Sequence, residues 1–442
     1  MNPIRPINLC LVIGSTVILQ CSLQNGVKIS DPETGKFPNT EPWSHFRGRH
    51  GNGISPETGL SLAWPEKGLP VRWRVPIGTA YAGITVAGGR VFTMDSDEKR
   101  EYVVCLDEEN GETLWRYDVG PLFEDGNGNG PRSAPTIHDG LVYGLGAHGD
   151  LVALSAGDGG LRWHVNYGQR FGAETPEWGY STAPLVVGNR IFIEPGGPDG
   201  KGIAALDLHT GETLWSALSD PAGYSSPISV DFGGRTLVVF LTSKQVAAVT
   251  VHGEVLWQIP WVEEMGIKIA MPVFVPPDKV FVSASYDAGA LMVRMAEKDG
   301  TVTAEPLWQN RLMRNHFNSS VRVDNYLYGF DNATLKCIDA ETGQPLWAQR
   351  RMGKGSLIFA ENHFIILSER GRLILAKANP EGFRELAGFQ VFQGRSWTSP
   401  TLAGGKLYLR NPNEIVSYDI GAETVGTASQ NGPGHAARGG RP

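Results

Sequence analysis

The chain has 442 residues, 41% of them hydrophobic and 19% charged, with a formal net charge of −7. That balance supplies apolar material for a large core and excludes nonspecific nucleic-acid binding, which needs a basic surface. Fifty-six glycines and 29 prolines suit many tight turns and leave little room for long helices.

Residues 1–21 carry Arg5, an apolar run over 9–19 and then Cys21. They read as a signal peptide or a lipoprotein signal, too short for a membrane span, with Cys21 as a candidate lipid anchor. Residues 22–42 are polar and turn-rich, a linker. The stretch 43–70 reads as a lead-in segment that packs Trp43, Phe46 and Trp64 against the body of the fold. His45 and His50 invite a metal reading, but no third ligand stands near them in sequence.

From Val71 onward one unit recurs. Its fullest copy, 206–215, reads Leu-Asp-Leu-His-Thr-Gly-Glu-Thr-Leu-Trp, and related copies place Gly111 before Trp115, Gly159 before Trp163, Gly253 before Trp257 and Gly343 before Trp347. The Gly stands four residues ahead of the Trp each time. An apolar run, a turn at Gly and a Thr/Leu/Trp-rich run predict two antiparallel strands joined by a tight hairpin, with Gly supplying a positive φ. A phosphate cradle would need a helix after that Gly, and none is predicted. Asp107, Asp207 and Asp339 share one place four residues before the turn Gly, which makes them turn-capping residues rather than a carboxylate set. No nucleophile elbow, P-loop or HExxH spacing occurs.

The marker tryptophans Trp73, Trp115, Trp163, Trp215, Trp257, Trp308 and Trp347 stand 39 to 52 residues apart. A second pair of strands is predicted ahead of each hairpin, as at 133–137 with 141–146, or 182–187 with 190–194. Four strands per repeat of this length specify a β-propeller blade. Blades begin near Thr79, Arg132, Tyr180, Tyr224, Ile269, Phe317, Gly355 and Trp397, which makes eight. The fifth is lengthened between Gly300 and Trp308. The seventh lacks its Trp, with 389–392 in the outer-strand place. Val71-Arg72-Trp73-Arg74-Val75 is a last strand without a first three, and 398–402, 406–410 and 415–419 are three strands without a fourth. The expected fold is therefore all-β: an eight-bladed propeller of four-stranded antiparallel blades over 71–420, closed by an N-terminal strand that completes the last blade. Residues 421–442 are rich in Gly, Ala, Ser and Arg and read as a disordered tail.

Cys105 and Cys337 occupy equivalent strand positions of different repeats, too far apart for a disulfide, and read as small buried hydrophobes. Nothing in the cysteine spacing suggests structural zinc.

The segment 202–215 resembles the tryptophan-docking repeat of quinoproteins, and the resemblance extends over about 75 to 420. It implies one of two functions. One branch of that superfamily holds dehydrogenases that oxidise alcohols or sugars with pyrroloquinoline quinone (PQQ) and Ca²⁺. The other holds cofactor-free eight-bladed proteins, including the BamB-like lipoprotein of the outer-membrane barrel assembly machinery. Alcohol-oxidising members carry two adjacent cysteines, an Asp base and Glu/Asn/Asp calcium ligands. Here no two cysteines are adjacent, and neither the base nor the ligands match positions of this sequence. The expectation is an exported, non-catalytic binding or scaffold module of the bacterial cell envelope, without cofactor, whose partner is an envelope protein or peptide rather than a small molecule. The alternative is a PQQ/Ca²⁺-dependent sugar or alcohol dehydrogenase.

Loops that enter the innermost strands of a propeller gather at one mouth of its channel. Here they carry Tyr81, Arg132, Trp178, Tyr180, Tyr224, Lys268, Arg314, His316, Lys354, Arg395 and Trp397. Cations beside aromatic faces suit an anionic ligand or an acidic peptide. His316 has no partner acid that would make it a general base.

Overall fold

The computed structural model describes residues 43–262 and 267–421. The signal, the linker, Cys21 and all of the tail beyond Gly421 lie outside the described residues. Eight antiparallel sheets follow one another, each of four consecutive strands except the last. The first is Thr85–Ala87, Arg90–Ser96, Arg100–Asp107 and Thr113–Pro121, and the eighth is Thr401–Ala403, Lys406–Arg410 and Glu414–Asp419 completed by Val71–Pro76. In that closure Val71 faces Tyr418, Trp73 faces Ser417 and Val75 faces Ile415.

Strand position explains burial. The second and third strands of each blade are covered on both faces by neighbouring blades, so their sequences are continuous apolar runs. Leu237, Val238, Val239, Phe240 and Leu241 are all fully buried. The outermost strands have one face on solvent and alternate instead, as in Leu161–Asn166. The innermost strands are shorter than the sequence predicts, with three residues in Thr136–His138 and in Leu185–Val187. Their first positions are given over to loop.

The recurring Trp and Gly meet across blades, not within one. Gly111 lies against the ring of Trp73, Gly159 against Trp115, Gly211 against Trp163, Gly253 against Trp215 and Gly343 against Trp308. Each Gly has a positive φ, 77° at Gly111 and 71° at Gly211, and an added Cβ at Gly211 would stand 2.7 Å from the Trp163 ring. The ring nitrogen then donates to a carbonyl of the same turn: Trp73 to Glu108, Trp163 to Leu208, Trp308 to Ala340. Each of the eight outer strands also carries a register shift beside this position, a β-bulge that turns the side chain toward the next blade. Asp107, Asp207 and Asp339 each accept from the amides two and three residues on, which fixes the turn.

Two blades depart from the pattern. In the fifth, Gly289–Lys298 and Thr301–Asn310 extend the hairpin by both arms, and no turn carbonyl reaches the buried ring nitrogen of Trp257. In the seventh the outer strand is Arg384–Gln390 rather than 389–392, and Ala387 holds the place of the Trp opposite Leu375. Phe389 instead packs edge-on against Trp64 of the lead-in, 6.0 Å between centroids.

The lead-in runs across several blades. The carbonyl of Trp43 accepts from Val86, that of Ser44 from Ile137 and that of Gly53 from Phe359. Ile54–Ser55 adds a short parallel strand to the inner edge of the seventh blade. His45 is buried and its ring nitrogens meet the carbonyls of Phe46 and Pro184, so it ties the segment to the third blade. The Arg47 guanidinium reaches the Ser320 carbonyl of the sixth at 3.0 Å.

Candidate functional site

Ahead of four of the eight inner strands lies a short Ser/Thr-Pro stretch, as in Ser133-Ala134-Pro135-Thr136, Ser181-Thr182-Ala183-Pro184 and Ser225-Ser226-Pro227. Its hydroxyls bond to the next blade. Ser133 donates to the Thr182 carbonyl, Thr136 to Pro184 and Ser225 to Ala270, while Ser226 accepts from the Ala183 amide and Ser319 from Met271. Proline removes a donor that would have no ladder partner there, and the hydroxyls supply bonds from blade to blade. The loops are thereby held at fixed places around one end of the channel.

A cavity of about 220 Å³ opens there. Six of the sequence-predicted residues line it: Tyr81, Arg132, Trp178, Tyr224, His316 and Trp397. Along one side the rings of Tyr81, Trp397, Phe317, His316 and Tyr286 succeed one another at centroid spacings of 5.2, 5.1, 5.6 and 5.3 Å. Trp178 and Tyr224 pair at 5.6 Å on another part of the wall. Phe46 of the lead-in also lines the cavity, beside Gly83, so the segment that runs across the blades contributes to its wall. Phe46 and Tyr286 were not among the predicted residues. Phe46 belongs to a lead-in with no blade of its own, and Tyr286 sits on the hairpin after Lys279–Ala284 rather than on an entry loop.

The other predicted residues sit elsewhere. Tyr180 is a core residue, its ring edge-on to Tyr167 and its hydroxyl on the Pro195 carbonyl at 2.8 Å. Lys268 is fully buried with its ammonium on the Ser243 carbonyl. Arg314 turns away to Asp331, at 2.7 Å, and that bond raises its pKa. Lys354 is half-buried beside Glu369, which accepts from its amide, and burial lowers its pKa. Arg395 is exposed on the rim, its guanidinium 4.3 Å from the Trp397 ring centre and 3.0 Å from the Tyr81 hydroxyl.

These placements correct the expected charge of the mouth. Arg132 lines the cavity but is ion-paired with Asp125 and donates to the carbonyls of Gly128 and Gly130. Its guanidinium has little left to offer a ligand. Burial, helped by the nearby Lys354, pushes the His316 pKa down to about 4, so the ring is neutral at pH 7. Its Nε2 meets the Tyr286 hydroxyl at 2.9 Å. The cavity wall is thus aromatic and electrically balanced. Three buried nitrogens of its lining residues have no partner among the described residues: His316 Nδ1, Asn318 Nδ2 and Trp397 Nε1. Asn318 is 7% exposed, and its carbonyl oxygen already accepts from Ser399. Among the described residues no group of three or more His, Cys, Asp or Glu is placed to hold a metal ion.

A family model described as outer membrane protein assembly factor BamB matches residues 99–349. BamB from Moraxella catarrhalis is similar in structure, with a TM-score of 0.55 at 16% identity over 78% of this chain and 97% of that one. So is the quinohemoprotein alcohol dehydrogenase ADHIIG from Pseudomonas putida HK5, with a TM-score of 0.55 at 13% identity over 91% of this chain and 82% of that one. A europium-containing methanol dehydrogenase gives 0.51 at 11% identity over 84% and 89%. No curated protein matches the sequence. At these identities the solved structures establish a shared fold alone. The family match covers more than half of the chain, and with the ring of eight blades it makes this protein a member of the BamB family of PQQ-like β-propellers.

Proposed function

We propose that the protein is an exported, non-catalytic binding module of the bacterial cell envelope, and that the aromatic cavity is where it engages its partner. The observation behind this reading is the wall itself: a succession of tilted aromatic rings, neutral at pH 7, with buried nitrogens left unpaired among the described residues. A buried donor without an acceptor costs about 1–3 kcal/mol, which an occupant with acceptor oxygens would recover. Membership of the BamB family favours the envelope as the setting.

A quinone-dependent dehydrogenase is the reading to test against it. PQQ is a flat tricyclic quinone bearing three carboxylates, and the rings here suit its faces. The carboxylates find no such match. Arg132 and Arg314 are committed to Asp125 and Asp331, and the described residues offer no acidic cluster for Ca²⁺. The residues present therefore do not fit the pair, and no oxidation step is derived from them. Purified protein incubated with PQQ and Ca²⁺ and monitored by absorbance and dye reduction gives the test. No uptake and no turnover is the expected result; stoichiometric uptake with dye reduction overturns the reading.

A further inference from the structure

We infer that the cavity takes an uncharged saccharide unit, laid against its aromatic wall and hydrogen-bonded by the unpaired nitrogens of its lining residues. This rests on the reading of the cavity as a binding site and names the ligand class. Three features select it. The first is charge: among the described residues the one acid and the one arginine that line the cavity satisfy each other, so a carboxylate or phosphate would enter without a free cation among them to receive it. Arg395 packs over the Trp397 ring and reaches the Tyr81 hydroxyl from the rim, and it is not among the lining residues.

The second is the pairing of faces with donors. Trp397 lies beside Tyr81 and Phe317 while its indole N–H has no acceptor among the described residues, and Asn318, another lining residue and almost wholly buried, holds an amide nitrogen unpaired among them. An indole N–H donates only, and an amide nitrogen donates only, so both require oxygen acceptors from the occupant. A sugar ring carries C–H faces for the first set and hydroxyl oxygens for the second. The serine hydroxyls of Ser226 and Ser319, which accept backbone N–H groups, keep their own protons to donate.

The third is depth. Phe46 brings the lead-in, which bonds to the first, second and seventh blades, against the cavity, so the channel is not clear along its length. That suits the end unit or a short stretch of a glycan and not a peptide strand threaded through the channel.

The test uses the full chain and titrations of intrinsic tryptophan fluorescence with cellohexaose, maltoheptaose and chitohexaose, alongside a glycan array that includes uronic-acid polymers. Saturable quenching by at least one neutral oligosaccharide is expected, with uronic acids bound no better. Trp178→Ala should abolish it, and Trp397→Phe, which keeps the ring and deletes the N–H, should weaken it about tenfold. Both variants should melt within about 3 °C of the parent, since one surface-side ring or one unpaired donor is removed. Absence of binding to every neutral glycan, or binding unchanged in both variants, overturns the inference. If glycans fail while photo-crosslinks at position 178 trap an envelope peptide, the saccharide class falls and the binding reading stands. PQQ uptake at one equivalent brings down both.

Discussion

At the scale of single residues, Gly does two jobs at once in this ring, and the two can be separated by mutation. Gly89 and Gly211 both have positive φ, but nothing lies within 4 Å of a Cβ at Gly89, whereas at Gly211 the Trp163 ring is in the way. Gly89→Ala should therefore cost about 1 kcal/mol, the left-handed conformation alone. Gly211→Ala should cost about 2–4 kcal/mol because overpacking is added. Urea unfolding of the two variants measures the difference, and equal losses would show that the ring yields freely. The positive φ was legible in the sequence from the turn pattern. The overlying ring was not, because it comes from the preceding repeat, some fifty residues away.

Charge at the mouth teaches the same lesson. Sequence placed Arg132, Lys268 and Arg395 together as free cations, and only their partners in space distinguish them. Arg132→Ala removes an ion pair and two carbonyl partners from a largely buried site and should lower the melting temperature by several degrees, whereas Arg395→Ala on the exposed rim should leave it within about 1 °C. Thermal melts of the pair decide this.

His316 supplies a pH signature. Its folded pKa of about 4 lies below the ordinary 6.5, so between those values the unfolded chain binds a proton that the folded ring refuses. Stability contributed by this site is full above about pH 6.5, falls as pH drops through the window, and is lost below about 4. Urea midpoints of the parent and His316→Gln, compared from pH 7 to 4, should converge as the pH falls; parallel curves would place the ring in water.

At the scale of the element, the hairpin and its tryptophan form a coupling between neighbouring blades. Six of the seven outer-strand tryptophans donate the indole N–H to a carbonyl of the next blade's turn, as Trp347 does to that of Asn379. Where the hairpin is extended, as in the fifth blade, Trp257 has none. Trp347→Phe should then cost about 1–2 kcal/mol through the orphaned carbonyl, and Trp257→Phe clearly less, both read by urea unfolding. Strand order, blade number and the ring closure were legible because apolar runs and turn glycines repeat with one spacing. The bulges beside each tryptophan were not, since a bulge is one extra residue in a strand whose partner's register cannot be read from a single run. The Ser/Thr-Pro stretches were visible as text, but their bonds run between blades, which is why inner strands were predicted too long and Tyr180 was placed at the mouth instead of in the core.

At the scale of the whole molecule, a propeller is held closed by whatever joins its ends, and here that junction spans the first and last elements of the ring. Val71–Pro76 pairs with Glu414–Asp419, and Trp73 packs on Tyr408 while its ring covers Gly111 of the first blade. Arg410, buried at the same seam, donates to Thr93 and to the carbonyls of Met94 and Gly78, so the eighth blade grips the first by hydrogen bonds as well. The pairing of Val71–Pro76 with Glu414–Asp419 is the one place in the ring where neighbouring strands of a four-stranded blade are not joined by a hairpin, and it is backed by these contacts and by Lys406 and Tyr408 on Glu108, so damage here should unzip the molecule rather than soften it locally. Trp73→Ala should cost about 3–5 kcal/mol, the loss of a buried aromatic with its cavity, and Arg410→Met about 2–4 kcal/mol through the carbonyls left unpaired. Trp163→Ala, an equivalent ring on an outer strand that a hairpin joins to its own blade, is the control. Opening the seam bares the edge of Glu414–Asp419 to pairing with other copies. Size-exclusion chromatography after mild heating should therefore show self-association for the two seam variants and not for Trp163→Ala at matched stability; the same behaviour from all three would mean that closure by the early strand has no special place in holding the ring.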